Sequence, residues 1–128
     1  MARGKFVWKT TAAGKFRFNL VASNGQVIAT SESYNSKESC MNGMDSVKKI
    51  AASHVEDQTV EGFKVLANPK YEVYADKAGE FRFRLKARNG EIVAASEGYK
   101  AKASCMNGIE SVKNHAPEAV VEEDAGKK

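Results

Sequence analysis

Residues 5–51 align on residues 70–116 without a gap, at a constant offset of 65. KFRFNLVASNGQVIATSESYNSKESCMNGMDSVK, from Lys15, matches EFRFRLKARNGEIVAASEGYKAKASCMNGIESVK, from Glu80, with about half of the aligned positions identical. Two copies exclude a long solenoid and require a fold in which one small unit is used twice. Each copy has fewer than 60 residues, a size at which a separate hydrophobic core is marginal. The repeats, 1–66 and 67–121, are therefore expected to share one core as a single structural domain, with a disordered tail over 122–128.

Within each copy the apolar period is first two and then helical. Phe16, Phe18, Leu20 and Ala22 alternate with Arg17, Asn19 and Val21, and Phe81, Phe83, Leu85 and Ala87 alternate with Arg82, Arg84, Lys86 and Arg88. Such alternation predicts a strand with one buried face. A shorter strand precedes it, Phe6–Thr10 or Tyr71–Ala75. Asn24-Gly25 and Asn89-Gly90 follow it and predict a tight hairpin with a type I′ turn. That register sets Ala22 opposite Val27, Leu20 opposite Ala29 and Arg17 opposite Glu32. In the second copy it pairs Ala87 with Ile92, Leu85 with Ala94 and Arg82 with Glu97.

After Tyr34 and Tyr99, the spacing of Cys40, Met44, Val47 and Ala51, and of Cys105, Ile109, Val112 and Ala116, predicts one apolar helical stripe per copy. Ser36 supplies an N-cap and Ala101 does not. Gly43 and Gly108, costly inside helices, are read as allowing close approach between helix and sheet. Pro117 ends the second helix. Residues 52–68 join the copies, and Val55, Val60, Phe63, Val65 and Leu66 give that segment value for burial.

Arg17-Phe18 with Asn24-Gly25, Ser31-Glu32 with Tyr34, and Asn42-Gly43 with Ser46-Val47, all repeated 65 residues later, make the chain resemble the YegP-like family of bacterial proteins, which carry a domain of unknown function. The resemblance implies an α+β fold: two tandem β-β-β-α(-β) repeats forming one antiparallel sheet, with two helices on one face. It also implies that the C-terminal strands, around Val55 and Ala119–Val121, are exchanged between the repeats. It supplies no activity.

Most chemistries lack their residues. No phosphate-binding glycine loop and no nucleophile elbow occur. Cys40 and Cys105 read as small core residues, and His54 and His115 as surface residues without metal spacing. Glu32 and Glu97 read as cross-strand partners of arginines. No catalytic residue, cofactor or metal is expected, and the chain is not expected to be an enzyme. No apolar run approaches the roughly 18 residues of a membrane span, and the N-terminus lacks a signal sequence, so a cytoplasmic monomer built as an internal pseudo-dimer is expected.

The net charge of +4 permits binding to polyanions without arguing for it. The residual signal is Arg82, Arg84, Lys86 and Arg88, expected on one open strand face beside Tyr74 and Val93. The first copy offers Lys9 and Arg17 there, among Val7, Val21 and Ile28. The chain thus reads as a small non-catalytic binding or structural module with an unknown protein partner. The alternative is weak nucleic-acid binding through this basic face.

Overall fold

The computed structural model describes residues 4–123. The first repeat forms β1 (Lys5–Thr10), β2 (Phe16–Val21), β3 (Val27–Thr30), α1 (Lys37–Ile50) and β4 (His54–Asp57). The second forms β5 (Lys70–Ala75), β6 (Phe81–Lys86), β7 (Ile92–Ala95), α2 (Lys102–His115), a 3-10 turn (Ala116–Glu118) and β8 (Val120–Glu123). All eight strands lie in one sheet, in the order β4-β5-β6-β7-β3-β2-β1-β8. The halves meet where Thr30 of β3 pairs with Ala95 of β7. Each repeat gives its last strand to the other: β4 lies beside β5, and β8 beside β1. Both exchanged strands are parallel to their neighbours while all other pairs are antiparallel, so the sheet is mixed rather than wholly antiparallel. A strand that returns through a helical crossover arrives in the parallel sense.

Both helices cover the face carrying Phe18, Leu20, Phe83 and Leu85, and their apolar stripes join one buried cluster that draws on both repeats. α1 packs on β2 and β7, and α2 on β6 and β3, so each helix bridges the halves. The buried Tyr71 hydroxyl adds a second tie, donating to the Ala51 carbonyl at the end of α1 (2.7 Å). Ser36 caps α1 by accepting from the Ser39 N–H (3.1 Å), whereas Ala101 leaves α2 without a side-chain cap.

The helical glycines have a visible reason. A Cβ at Gly43 would stand 3.2 Å from Phe18 Cε2 and collide with the Tyr34 hydroxyl. At Gly108 it would stand 2.7 Å from the Tyr99 hydroxyl and 2.9 Å from Phe83 Cε2. The missing side chain lets a tyrosine reach beneath each helix.

The hairpins depart from the expected turn. Gly25 (φ 90°) and Gly90 (φ 85°) are left-handed, but no non-glycine among the described residues is, so Asn24 and Asn89 do not complete a type I′ turn. Instead the Gly25 N–H donates to Ala22 O and the Ala22 N–H to Gln26 O, closing a three-residue loop that is repeated in the second copy. A bulge follows. Leu20 faces Ala29 and Leu85 faces Ala94 as expected, but Val27 faces Val21 and Ile92 faces Lys86, not Ala22 and Ala87. The extra residues, Ile28 and Val93, consequently turn to the helix side, where each is 6% exposed, rather than to the open face. A bulge sets two residues of one strand against one of the next and re-aims the extra side chain.

Two further expectations fail in part. Val60, Phe63 and Val65 of the connecting loop are exposed, at 49%, 39% and 73%. Glu122 and Glu123, placed in the tail by the sequence, belong to β8. The rest of that tail, 124–128, lies outside the described residues.

Candidate functional site

The basic strand is the first place to test. Arg82, Arg84 and Lys86 do project from β6 away from the helices, beside Tyr74 of β5. Each cation meets a carboxylate there: Arg82 Nε donates to Asp76 Oδ2 (2.7 Å), Arg84 Nε donates to Glu72 Oε1 (2.6 Å), and Lys86 lies 3.6 Å from Glu72 Oε2. The Arg84 guanidinium stacks on the Tyr74 ring at 4.5 Å, which occupies one face of that ring. Asp76, Glu72, Arg84 and Lys86 stand where the first repeat has Thr11, Val7, Asn19 and Val21. Glu72 and its two cations Arg84 and Lys86 thus occur together in one copy and are absent together from the other, whereas Arg82 recurs as Arg17 without a counterpart of Asp76. The strand carries a charge-compensated layer, which does not support phosphate binding.

Beside this layer, and sharing Glu72 with it, lies a buried ionic cluster. Glu56, Lys70 and Glu72 are 2%, 5% and 4% exposed. Lys70 Nζ donates to Glu56 Oε1 (2.6 Å) and lies 3.3 Å from Glu72 Oε2, while the Leu66 N–H and the Gln58 amide also donate to Glu56. Burial works against the Glu56 carboxylate, but the bonds from Lys70, Gln58 and Leu66 outweigh it and hold its pKa at about 2. The 58–69 loop is tied down through this cluster and through His54 Nε2, 2.7 Å from Ala67 O.

Arg88 does not share the basic face. It lies in the β6–β7 turn and, with Ala87 and Asn89, lines a hollow beside Ser46, Lys49 and Ile50 of α1. That hollow continues into a cleft of about 290 Å³ between Ser39, Asn42, Gly43 and Ser46 on α1 and Ala87, Asn89, Glu91 and Val93 on the turn. The Tyr34 hydroxyl stands at its floor. Burial raises the Tyr34 pKa, as do Cys40 and then the carboxylates of Glu32 and Glu91.

The same cleft occurs a second time. Ser104, Asn107, Gly108 and Ser111 of α2, with Tyr99, face Ala22, Asn24 and Ile28 of the β2–β3 turn across about 300 Å³. Each cleft therefore joins the helix of one repeat to the hairpin of the other. Ser39, Asn42 and Ser46 recur at 104, 107 and 111, and Tyr34 and Asn24 at 99 and 89. Of the neighbouring helix positions that are not buried, Glu38 and Lys49 give way to Ala103 and Asn114, while Lys37 and Lys48 recur as Lys102 and Lys113. Asn42 and Asn107 are exposed, and neither side chain is engaged by a hydrogen bond among the described residues. The legible signal was a second, polar stripe, S-x-x-N-x-x-x-S, running beside the apolar one.

The remaining candidates fall outside this arrangement or alter it. Cys40 and Cys105 are fully buried, and burial raises both thiol pKa values, that of Cys105 to about 11. Glu32 and Glu97 have no arginine opposite them. The Ser31 and Ser96 hydroxyls accept from the Phe18 and Phe83 N–H groups (2.9 Å each), replacing the next main-chain rung, so the chain bulges at Glu32 and Glu97 and pairs again only where Tyr34 meets Phe16 and Tyr99 meets Phe81. His115, expected on the surface, is 9% exposed. Its Nδ1 lies 2.8 Å from the Ser111 carbonyl, which requires the proton there, and Nε2 faces Ser23 Oγ at 3.5 Å. No group of three metal-ligating side chains occurs among the described residues. No helix among them is long and apolar enough to cross a membrane.

The family described as Domain of unknown function (DUF1508) matches residues 12–57 and 76–123, once in each repeat. The chain belongs to this family. A UPF0339 protein in the ptx operon 5' region of Stutzerimonas stutzeri is 44% identical over 120 residues, covering 94% of this chain and 96% of the relative. A UPF0339 protein of Treponema denticola is 57% identical over 54 residues, 42% of this chain but 93% of its own length, so that relative is about one repeat long. The solution structure of yegP from E. coli, a protein of unknown function, superposes with a TM-score of 0.81 at 32% identity, covering 100% of this chain and 98% of that one.

Proposed function

We propose that the protein is a non-catalytic binding module whose two equivalent clefts each hold a polar ligand between the helix of one repeat and the hairpin of the other. The observation that carries this reading is the retention of Ser39, Asn42, Ser46 and Tyr34, which line one cleft, as Ser104, Asn107, Ser111 and Tyr99, which line the other. The two asparagines are exposed and unengaged, so packing gives no reason to keep them. Pockets with a few convergent polar groups are the usual form of a ligand site. The α2 cleft does hold His115 beside Ser23 (3.5 Å) and Ser111, but the α1 cleft has Ile50 in its place, so what the two clefts share is a binding arrangement and not a serine–histidine pair.

The test separates a site from a scaffold. Asn42→Ala and Asn107→Ala should each change unfolding free energy by less than about 0.5 kcal/mol, as exposed substitutions usually do. A screen of polar solutes against the labelled protein by amide NMR should shift residues of both clefts, and the paired variant should lose those shifts. Losses above about 1 kcal/mol per asparagine would show them to be structural and remove the reading.

A further inference from the structure

The two clefts differ in charge, and the difference is concerted. The α1 cleft has Arg88, Glu91 and Lys49 where the α2 cleft has Ser23, Gln26 and Asn114. Three charged groups on two separate elements are thus all neutral in the other copy. Their order along the groove is also fixed. Glu32 and Glu91 line the hollow beside Tyr34, the polar middle runs past Asn42 and Ser46, and Lys49 and Arg88 line the far end. Arg88 has no ion pair among the described residues. Lys49 has only Asp45 (3.0 Å), a pair more than half exposed at both ends and so of little strength.

Resting on the binding reading above, we propose that the α1 cleft takes a short extended peptide with free termini, its ammonium group at Glu32 and Glu91 and its carboxylate at Lys49 and Arg88. The helix carries the groove from Ser39 to Lys49, about 15 Å at 1.5 Å per residue. A peptide of four or five residues spans about that distance when extended. The exposed Asn42 and Asn89 amides supply donors and acceptors to the peptide backbone between the charged ends. The α2 cleft keeps Glu97 at the position of Glu32 but has Ser23 and Asn114 in place of both cations, so it does not hold the peptide's carboxylate.

The experiment is an amide NMR titration of the full chain with tetraglycine, with the same peptide acetylated and amidated, and with diglycine. Tetraglycine should shift Asn42, Ser46, Asn89 and Glu91 saturably, and blocking its termini should weaken binding by about three- to tenfold, the scale of two exposed charge contacts. Raising salt to about 0.5 M should remove most of that advantage. Diglycine, too short to reach both ends, should show none of it. Lys49→Gln with Arg88→Ser should remove the part of the preference owed to the peptide's carboxylate and leave the part owed to its ammonium group, and Ser23→Arg, Gln26→Glu and Asn114→Lys together should confer the full preference on the α2 cleft. Equal binding of charged and blocked peptides to both clefts would overturn the charge assignment while leaving the clefts as binding sites. No shift from any peptide at about 20 mM would overturn the peptide assignment, and the solute screen would then judge the clefts separately.

Discussion

Single residues show most clearly where this fold holds energy. Glu56 sits among Lys70, Gln58 and the Leu66 N–H, and its pKa falls from the usual 4.5 to about 2. A depressed carboxylate contributes stability that is fully present above the unfolded pKa and is lost as pH falls toward the folded one. Urea unfolding should therefore lose up to about 3 kcal/mol from this group between pH 4.5 and pH 2. Glu56→Gln should remove that acid dependence. It should also cost about 3 kcal/mol at neutral pH, because it leaves Lys70 buried with a weaker partner; an unchanged acid profile would disprove the assignment. Gly43→Ala tests the tyrosine niche. Alanine favours a helix interior by about 1 kcal/mol, yet its Cβ collides with the Tyr34 hydroxyl and crowds Phe18. Overpacking of about 1–3 kcal/mol should outweigh the propensity. Equilibrium unfolding should show a net loss, where an exposed helical glycine would show a gain.

At the scale of elements, the helix starts offer a matched comparison. Ser36→Ala should cost about 1 kcal/mol, and Ala101→Ser should recover a similar amount, both read as shifts in the urea midpoint. The same elements show what the sequence makes legible. Alternating Phe16, Phe18 and Leu20 and the stripe from Cys40 to Ala51 each report one periodicity against one buried surface, so strand, helix and core face could all be read directly. The turn could not. Asn-Gly is compatible with more than one loop geometry, and the three-residue loop with its bulge is decided by how Ile28 and Val93 pack under the helices. From that one-residue difference follows the misplacement of both residues on the open face; the Arg17–Glu32 pairing is lost separately, where the Ser31 hydroxyl takes the Phe18 N–H and the chain bulges before Tyr34 pairs with Phe16. The alternation runs on through Arg88 and so places it on the strand, although the main chain has already turned at Ala87. The cleft was harder to see, since its two walls come from different repeats. Only the recurrence of Ser39, Asn42 and Ser46 marked one of them.

For the whole molecule, the exchanged strands make each repeat incomplete alone. Residues 1–66 expressed without the second repeat should not fold as a monomer. They should form a dimer in which β4 of each copy lies along β1 of the other, with unfolding that depends on protein concentration and a doubled mass by sedimentation. A stable folded monomer would contradict this. The Treponema relative, about one repeat long, raises the same geometric requirement. The exchange also orders events during synthesis. The edge of β1 is completed by β8, the last of the described strands to be made. At roughly 5–20 residues per second, the emerging first repeat spends several seconds with that edge bare. Lys5 and Lys9 lie on it, and edge lysines discourage pairing with foreign strands. Those charges guard the nascent chain at the stage when its own final strand does not yet exist.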